Sequence, residues 1–541
     1  MKALPWGAAV LLLTLLGFWL FPGHTYLQSD TQIYIPMLER LHDPALFGRD
    51  IVALRPHLMF TIYDETALFL KGITRGTFEG VLTAEQLAFR AVAVCGLILI
   101  ALRLGLSAAQ SFFVAAVVSL GATITGPAVL TIEYEPVPRG FAISLIVFAL
   151  GLIAHERYLA AGIAAGVAFL YHPPTTLPFW GIVILLVVLR RVRWTILAPL
   201  AMAGVILAML ARIQAPGIEV TSTIRRLDPL QETLQRMRAS YSFVSTWSLS
   251  TRLNYVVQTL IAAVALFRVK GGLQNWNTGP LLDFLWALPA VGLLSVPLSF
   301  LLLEQQHWAL IPEWQPARAI LWVSLIVALL AAVAAMKATH FAERALWLTL
   351  AFLIPMQHAL LGSVIHFRPL GLAIVLAILS SVLIAFDKKS RGAAVLLAAV
   401  IPFFAIPQSK MVENYPHLET TELRALADWA RSSTPPEALF LFPDSGTSLD
   451  PGIFRARALR SLYVDWKSGG QVNYFPEFAR EWWSRWVDTG SGRWSVRREE
   501  LPGLAARGVD YVVVGKPMDG NAPRFSSGKY FAYATSSRDS R

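Results

Sequence analysis

Runs of about twenty apolar residues, each long enough to cross a bilayer as a helix, recur along this chain. Thirteen are legible, near residues 4–22, 87–103, 108–130, 138–154, 158–171, 174–189, 194–212, 253–268, 281–303, 318–336, 345–362, 366–386 and 392–408. Of the 541 residues 55% are hydrophobic and 15% charged, whereas soluble domains carry roughly a quarter charged residues. The fold class that follows is a polytopic α-helical membrane protein with about 13 transmembrane helices. The formal net charge of +11 does not point to nucleic acid, because the bases cluster beside apolar runs, where they fix topology. The one cysteine, Cys95, lies inside an apolar run, so there is no disulfide framework and no cysteine metal site. The first run follows Lys2 and has no small-residue cleavage site after Phe21-Pro22, which predicts a retained span.

Basic residues set the sides. With the N-terminus cytoplasmic, the inner loops hold Arg103; Arg157; Arg190, Arg191 and Arg193; Arg268 and Lys270; Lys337 and Arg344; and Lys388, Lys389 and Arg391. Every inner turn then carries a base. The fifth and sixth runs meet at Tyr171-His172-Pro173-Pro174, and merging them would put Arg157 and Arg190 on opposite sides. Two domains are expected: residues 1–410, with the spans and a first outer loop at 23–86, and an extracytoplasmic α/β domain at 411–541. In that tail Thr420–Arg431, Phe475–Trp486 and Leu501–Arg507 read as helices. Ala438–Phe442, Ser461–Val464 and Val509–Val514 read as strands. Alternating helices and strands imply an α/β layer structure.

This topology gathers the unusual polar residues on the outer face. Asp30 lies about nine residues past the first run, in Ser29-Asp30-Thr31-Gln32-Ile33-Tyr34-Ile35-Pro36. It reads as the N-cap of a helix over Ile33–Leu41, as a loop acid, or as a catalytic base. A further amphipathic stretch, Leu58–Leu70, carries Asp64 and Glu65. Arg318 follows Trp308, Trp314 and Pro316, where it either snorkels beside an aromatic belt or grips a phosphate. Arg139 and Arg368 hold similar positions. Glu133 and Glu135 flank Tyr134 in a Pro-containing turn, with Arg139 a ready partner for an acid at the membrane surface. His172 and His366 each read as a turn residue or a substrate contact. Oxygen ligands suit magnesium or manganese, and Asp30 with Glu133 or Glu135 would supply them, although no residue is assigned as a metal ligand.

Several stretches together carry a family resemblance. They are Ser29-Asp30-Thr31-Gln32 with Tyr34 and Pro36, and Asp43-Pro44-Ala45-Leu46-Phe47 with Asp50. Gln315-Pro316-Ala317-Arg318, Thr434-Pro435-Pro436 and Tyr463-Val464-Asp465-Trp466-Lys467 complete the set. With a first span, an acid-bearing outer loop, many further spans and a tail domain, the chain resembles the bacterial branch of the GT-C superfamily of polytopic membrane glycosyltransferases. The resemblance implies an inverting enzyme of the bacterial inner membrane. It would take a sugar from a polyprenyl-phosphate donor and pass it to an extracytoplasmic acceptor. Asp30 matches the position of the family's base; many relatives have two acids there, and this chain has Ser29-Asp30. Membrane lipids, a lipid-linked donor and an acceptor of unknown kind are the implied partners.

Two other classes stay open. A transporter or flippase would place ionisable residues inside its spans, which here are almost free of charge apart from Arg90 near one end. A non-catalytic envelope scaffold would use its tail as a docking surface, with Trp482, Trp483 and Trp486 at its centre.

Overall fold

A computed structural model describes residues 6–214, 225–271, 279–356, 367–390, 392–489 and 496–536. The chain divides into two compact units. One comprises Met1–His24, Thr83–Met209 and Tyr241–Asn414; the other comprises Thr25–Leu82, Leu210–Ser240 and Tyr415–Arg541. The boundary expected at 410 therefore falls at 414. The first outer loop, expected to belong with the spans, clusters instead with the tail.

The first unit is helical. Among the described residues, 6 helices are long and apolar enough to cross a membrane: Phe78–Arg103, Trp194–Ile213, Leu249–Gly271, Pro280–Gln305, Ile311–Lys337 and Phe367–Asp387. Shorter apolar helices occupy Trp6–Trp19, Ala108–Ser119, Pro138–Ala154, Tyr158–Tyr171, Pro173–Val188 and Ala393–Gln408. The expected break at His172 is present, because two prolines open the next helix and their missing N–H groups cost nothing in its first turn. Where a helix was expected over 108–130, the chain leaves it at Ser119. Strands β1 (Thr123–Ile124) and β2 (Val129–Leu130) follow as an antiparallel hairpin. Gly121, Gly126 and Pro127 interrupt the helix, and β-branched neighbours favour the extended backbone. The run expected at 345–362 forms a helix over Phe341–Leu353, and His366 lies outside the described residues.

Close helix contact in this unit depends on missing side chains. A Cβ on Gly96 would stand 2.6 Å from Phe148 Cα, and one on Gly151 would stand 2.8 Å from the Gly96 carbonyl oxygen. Small residues let backbones approach where no hydrophobic force between spans is available. Leu321–Lys337 is the most enclosed helix, with every residue from Leu321 to Met336 buried.

The second unit is built on a five-stranded mixed sheet of order β4-β3-β5-β7-β6. These strands are β3 (Leu439–Leu441), β4 (Ser461–Leu462), β5 (Tyr511–Val514), β6 (Phe525–Ser527) and β7 (Tyr530–Ala534). Strand β3 pairs in parallel with β4 and β5, and β7 runs antiparallel to β5 and β6. Helices cover Thr421–Ser433, Asp450–Ala458 and Pro476–Asp488. The first starts because the Thr420 side chain accepts a hydrogen bond from the Leu423 N–H, and it ends before Pro435-Pro436. Asp450–Ala458, β6 and β7 were not anticipated from sequence.

Residues 25–82 are locked into this unit by buried charge. Arg455, fully buried, lies 3.1 Å from Asp465 and 3.8 Å from Asp50, and donates to the Gln32 carbonyl at 3.1 Å. Asp50 in turn accepts the N–H groups of Val52, Ala53 and Leu462. Arg49 pairs with Asp510 and Arg55 with Glu481, each at 2.6 Å. The tryptophans that a scaffold would use as a docking surface are mostly turned inward. Trp482 and Trp486 are buried, stack at 5.6 Å and pack with Trp466, so two of the three belong to the core.

Candidate active site

Asp30 stands at the N-cap position of helix Thr31–His42, yet its side chain makes no capping hydrogen bond. Its carboxylate is turned instead to Lys467, whose Nζ lies 2.8 Å from Oδ1. The two side chains are 26% and 15% exposed, which leaves both within reach of a solute. Lys467 also approaches Ser29 Oγ at 3.4 Å. Both halves of this pair lie in stretches quoted above, Ser29–Gln32 and Tyr463–Lys467, but nothing in the sequence says that they meet.

The frame behind Lys467 is rigid for identifiable reasons. Arg238 donates to the Trp466 carbonyl at 2.5 Å, and its guanidinium carbon lies 3.6 Å from the centre of the Trp466 ring. Trp482 Nε1 donates to the Asp465 carbonyl at 3.0 Å. The Asp465 carboxyl is held by Arg455 and Ser468; burial raises its pKa, Arg455 opposes that rise and Asp50 adds to it. Gly469 admits no side chain, since a Cβ there would meet Arg238 Nε and Trp482 Cζ2 at 2.5 Å.

Aromatic groups line the same end of helix Thr31–His42. The His57 ring stacks on Tyr474 at 4.7 Å and lies 5.5 Å from Tyr34, which itself meets Tyr63 at 5.7 Å. Burial lowers the His57 pKa to about 4, against the Asp30 charge and a hydrogen bond to Gln471, so the imidazole is neutral at ordinary pH. Asp64, 3% exposed, has its pKa raised by burial and then by Glu65. Of these groups, Lys467, His57 and Gln471 were not singled out from sequence. For His57 the available signal was its place between two helix-like stretches of the acid-bearing loop.

The other expected residues that the structure describes lie in the helical unit. Glu133 is buried and takes a two-point grip from Arg139, at 2.6 Å to Oε1 and 3.2 Å to Oε2. Its carbonyl receives Gln86 at 2.9 Å and Arg90 at 2.7 Å, and Arg90 also donates to the Gly17 and Gly23 carbonyls. Arg90 thereby ties three chain segments together. A cavity of about 50 Å³ borders Glu133, Glu135, Gln86 and Arg90 at one side and is otherwise mostly apolar. His172 Nδ1 accepts the Thr175 N–H at 3.3 Å and so caps the helix it precedes. Arg318 sits 5.2 Å from the Tyr241 ring and donates Nε to the Pro127 carbonyl at 3.4 Å.

Among the described residues, no group of three or more His, Cys, Asp or Glu side chains is placed to hold a metal ion. Asp30 and Glu133 are each paired with a cationic side chain.

A family model described as a domain of unknown function (DUF6798) matches residues 421–489, a segment that includes Arg455, Asp465 and Lys467. No curated protein matches the chain. Among solved structures, the crystal structure of ArnT from Cupriavidus metallidurans in the apo state matches with a TM-score of 0.42 and 12% identity. The match covers 98% of this chain and 97% of that one.

Proposed function

We propose that the chain is a membrane glycosyltransferase of the GT-C kind. It takes a sugar from a polyprenyl-phosphate donor and passes it, with inversion, to a hydroxyl of an extracytoplasmic acceptor. Asp30 is the general base. The observation that carries this reading is the Asp30 side chain itself, which forgoes capping its own helix and stands partly exposed beside an ammonium. Direct displacement needs one base and no enzyme nucleophile. Arg318 is the cation proposed for the donor phosphate, since a guanidinium can hold two phosphate oxygens at once. The proposed topology has thirteen crossings, with the N-terminus in the cytoplasm and Asp30 and the tail on the outer side of the inner membrane. Its support is the base in every inner loop.

Asp30→Asn tests the reading, because it keeps size and hydrogen bonding but removes basicity. Membranes containing the variant, supplied with polyprenyl-phosphate sugars, should transfer sugar about two to four decades more slowly than wild type. A folded, membrane-inserted Asp30→Asn protein with undiminished transfer would reject it.

A further inference from the structure

Lys467 is placed to do more than steady Asp30. We propose that it is a catalytic cation shared between the base and the donor. At rest its ammonium occupies the Asp30 carboxylate; when the donor binds, the donor phosphate takes the ammonium over and frees Asp30 to accept a proton. The inference rests on the glycosyl-transfer reading above and adds an order of events to it: donor first, base second.

Three observations support it. The ammonium contacts Asp30 Oδ1 at 2.8 Å, so it competes for a carboxylate that must take a proton. Both side chains are partly exposed, whereas the neighbouring Arg455–Asp465 pair is fully buried and cannot exchange partners with a solute. The backbone around Lys467 is pinned by Arg238 on Trp466 and by Trp482 on Asp465, so the mobile part is its flexible four-carbon stem. The Nζ can then pass from one anion to another without moving the chain. Arg238, stacked on the adjacent Trp466, adds positive charge to the same short segment.

The chemistry balances without a further reactant. The acceptor oxygen bonds to the anomeric carbon, and the bond from that carbon to the phosphate oxygen breaks, its electron pair staying with the phosphate. The acceptor proton goes to Asp30. The phosphate monoester gains one negative charge, and the Lys467 ammonium, once passed to the phosphate, meets that charge as it develops. A base with no cation of its own would face the approaching phosphate as a like charge.

The test is equilibrium binding of free polyprenyl phosphate to the purified full-length chain, for wild type, Asp30→Asn and Lys467→Gln, with thermal melting as the folding control. Loss of a charge-assisted hydrogen bond should weaken binding to Lys467→Gln by about tenfold or more. Asp30→Asn should bind more tightly than wild type, because it removes both the competitor for Lys467 and a like charge. A structural ion pair predicts no such opposite signs. Unchanged affinity in both variants, or weaker binding to Asp30→Asn, overturns the inference. If Lys467→Gln does not fold, the sign of the Asp30→Asn effect alone decides. Wild type that binds polyprenyl phosphate and transfers sugar, with Lys467→Gln unaltered, defeats this inference and leaves the functional reading standing. Wild type that neither binds the lipid nor transfers sugar defeats both.

Discussion

His57 and Tyr474 stack face to face, with ring centres 4.7 Å apart and planes 12° from parallel, although 417 positions separate them in the chain (474 minus 57). Desolvation keeps the imidazole neutral. Its pKa in the fold, about 4, is below the ordinary 6.5, so the unfolded chain takes up the proton first on acidification. The stability contributed by the neutral ring is whole above about pH 6.5 and is lost as pH falls from there toward 4. His57→Phe keeps a stacking ring and cannot titrate. Its melting temperature should fall less steeply than that of wild type across this window; parallel profiles would show that His57 is not the group responsible.

Arg455 is the cation on which two buried carboxylates depend. Replacing it by Met leaves Asp50 and Asp465 near each other without the cation they share. Removing one partner of such a cluster typically costs about 3–5 kcal/mol. The deficit should be smaller at pH 5 than at pH 8, because protonating a carboxyl relieves the uncompensated charge. Chemical denaturation of wild type and Arg455→Met at the two pH values would reveal this, and a deficit independent of pH would count against the charge argument.

Arg318 offers a guanidinium that can hold two phosphate oxygens at once. Donor affinity should drop in Arg318→Ala and be only partly restored in Arg318→Lys, where the planar fork is lost. Equal donor affinity in all three proteins would assign Arg318 to its Tyr241 and Pro127 contacts alone.

The topology carries its own prediction. A reporter active only in the cytoplasm, fused after Pro407, should give no signal, and the same reporter in the loop at Arg190–Arg193 should give a strong one. A strong signal from the first fusion rejects thirteen crossings.

Local chemistry made much of this molecule legible in advance. Helix Thr421–Ser433 begins and ends where Thr420 and Pro435-Pro436 say it must, and β5 lies within the β-branched run 509–514. The break at His172-Pro173-Pro174 was equally plain. Such features depend on caps, prolines and side-chain periods, which act over a few residues. The hairpin at 123–130 was missed because its apolar residues suit a span, and only the glycines and Pro127 argue otherwise.

Asp30, its helix and the amphipathic stretch after it could be named from sequence, and so could the segment around Lys467. That the two meet, 437 positions apart, could not. That ion pair joins residues 25–82 to the C-terminal segment, and Arg455 joins them as well, through Asp50, Asp465 and the Gln32 carbonyl. Hydropathy and charge counts also could not decide whether Trp482 and Trp486 face solvent. Their amphipathic helix has one apolar side in either case, and the fold chose the interior for it. By itself the sequence determined which segments are apolar enough for a membrane and where helices start and stop. The tertiary structure decided which distant charges share a site, because such pairs are set by the packing of segments hundreds of residues apart, which no local rule reaches.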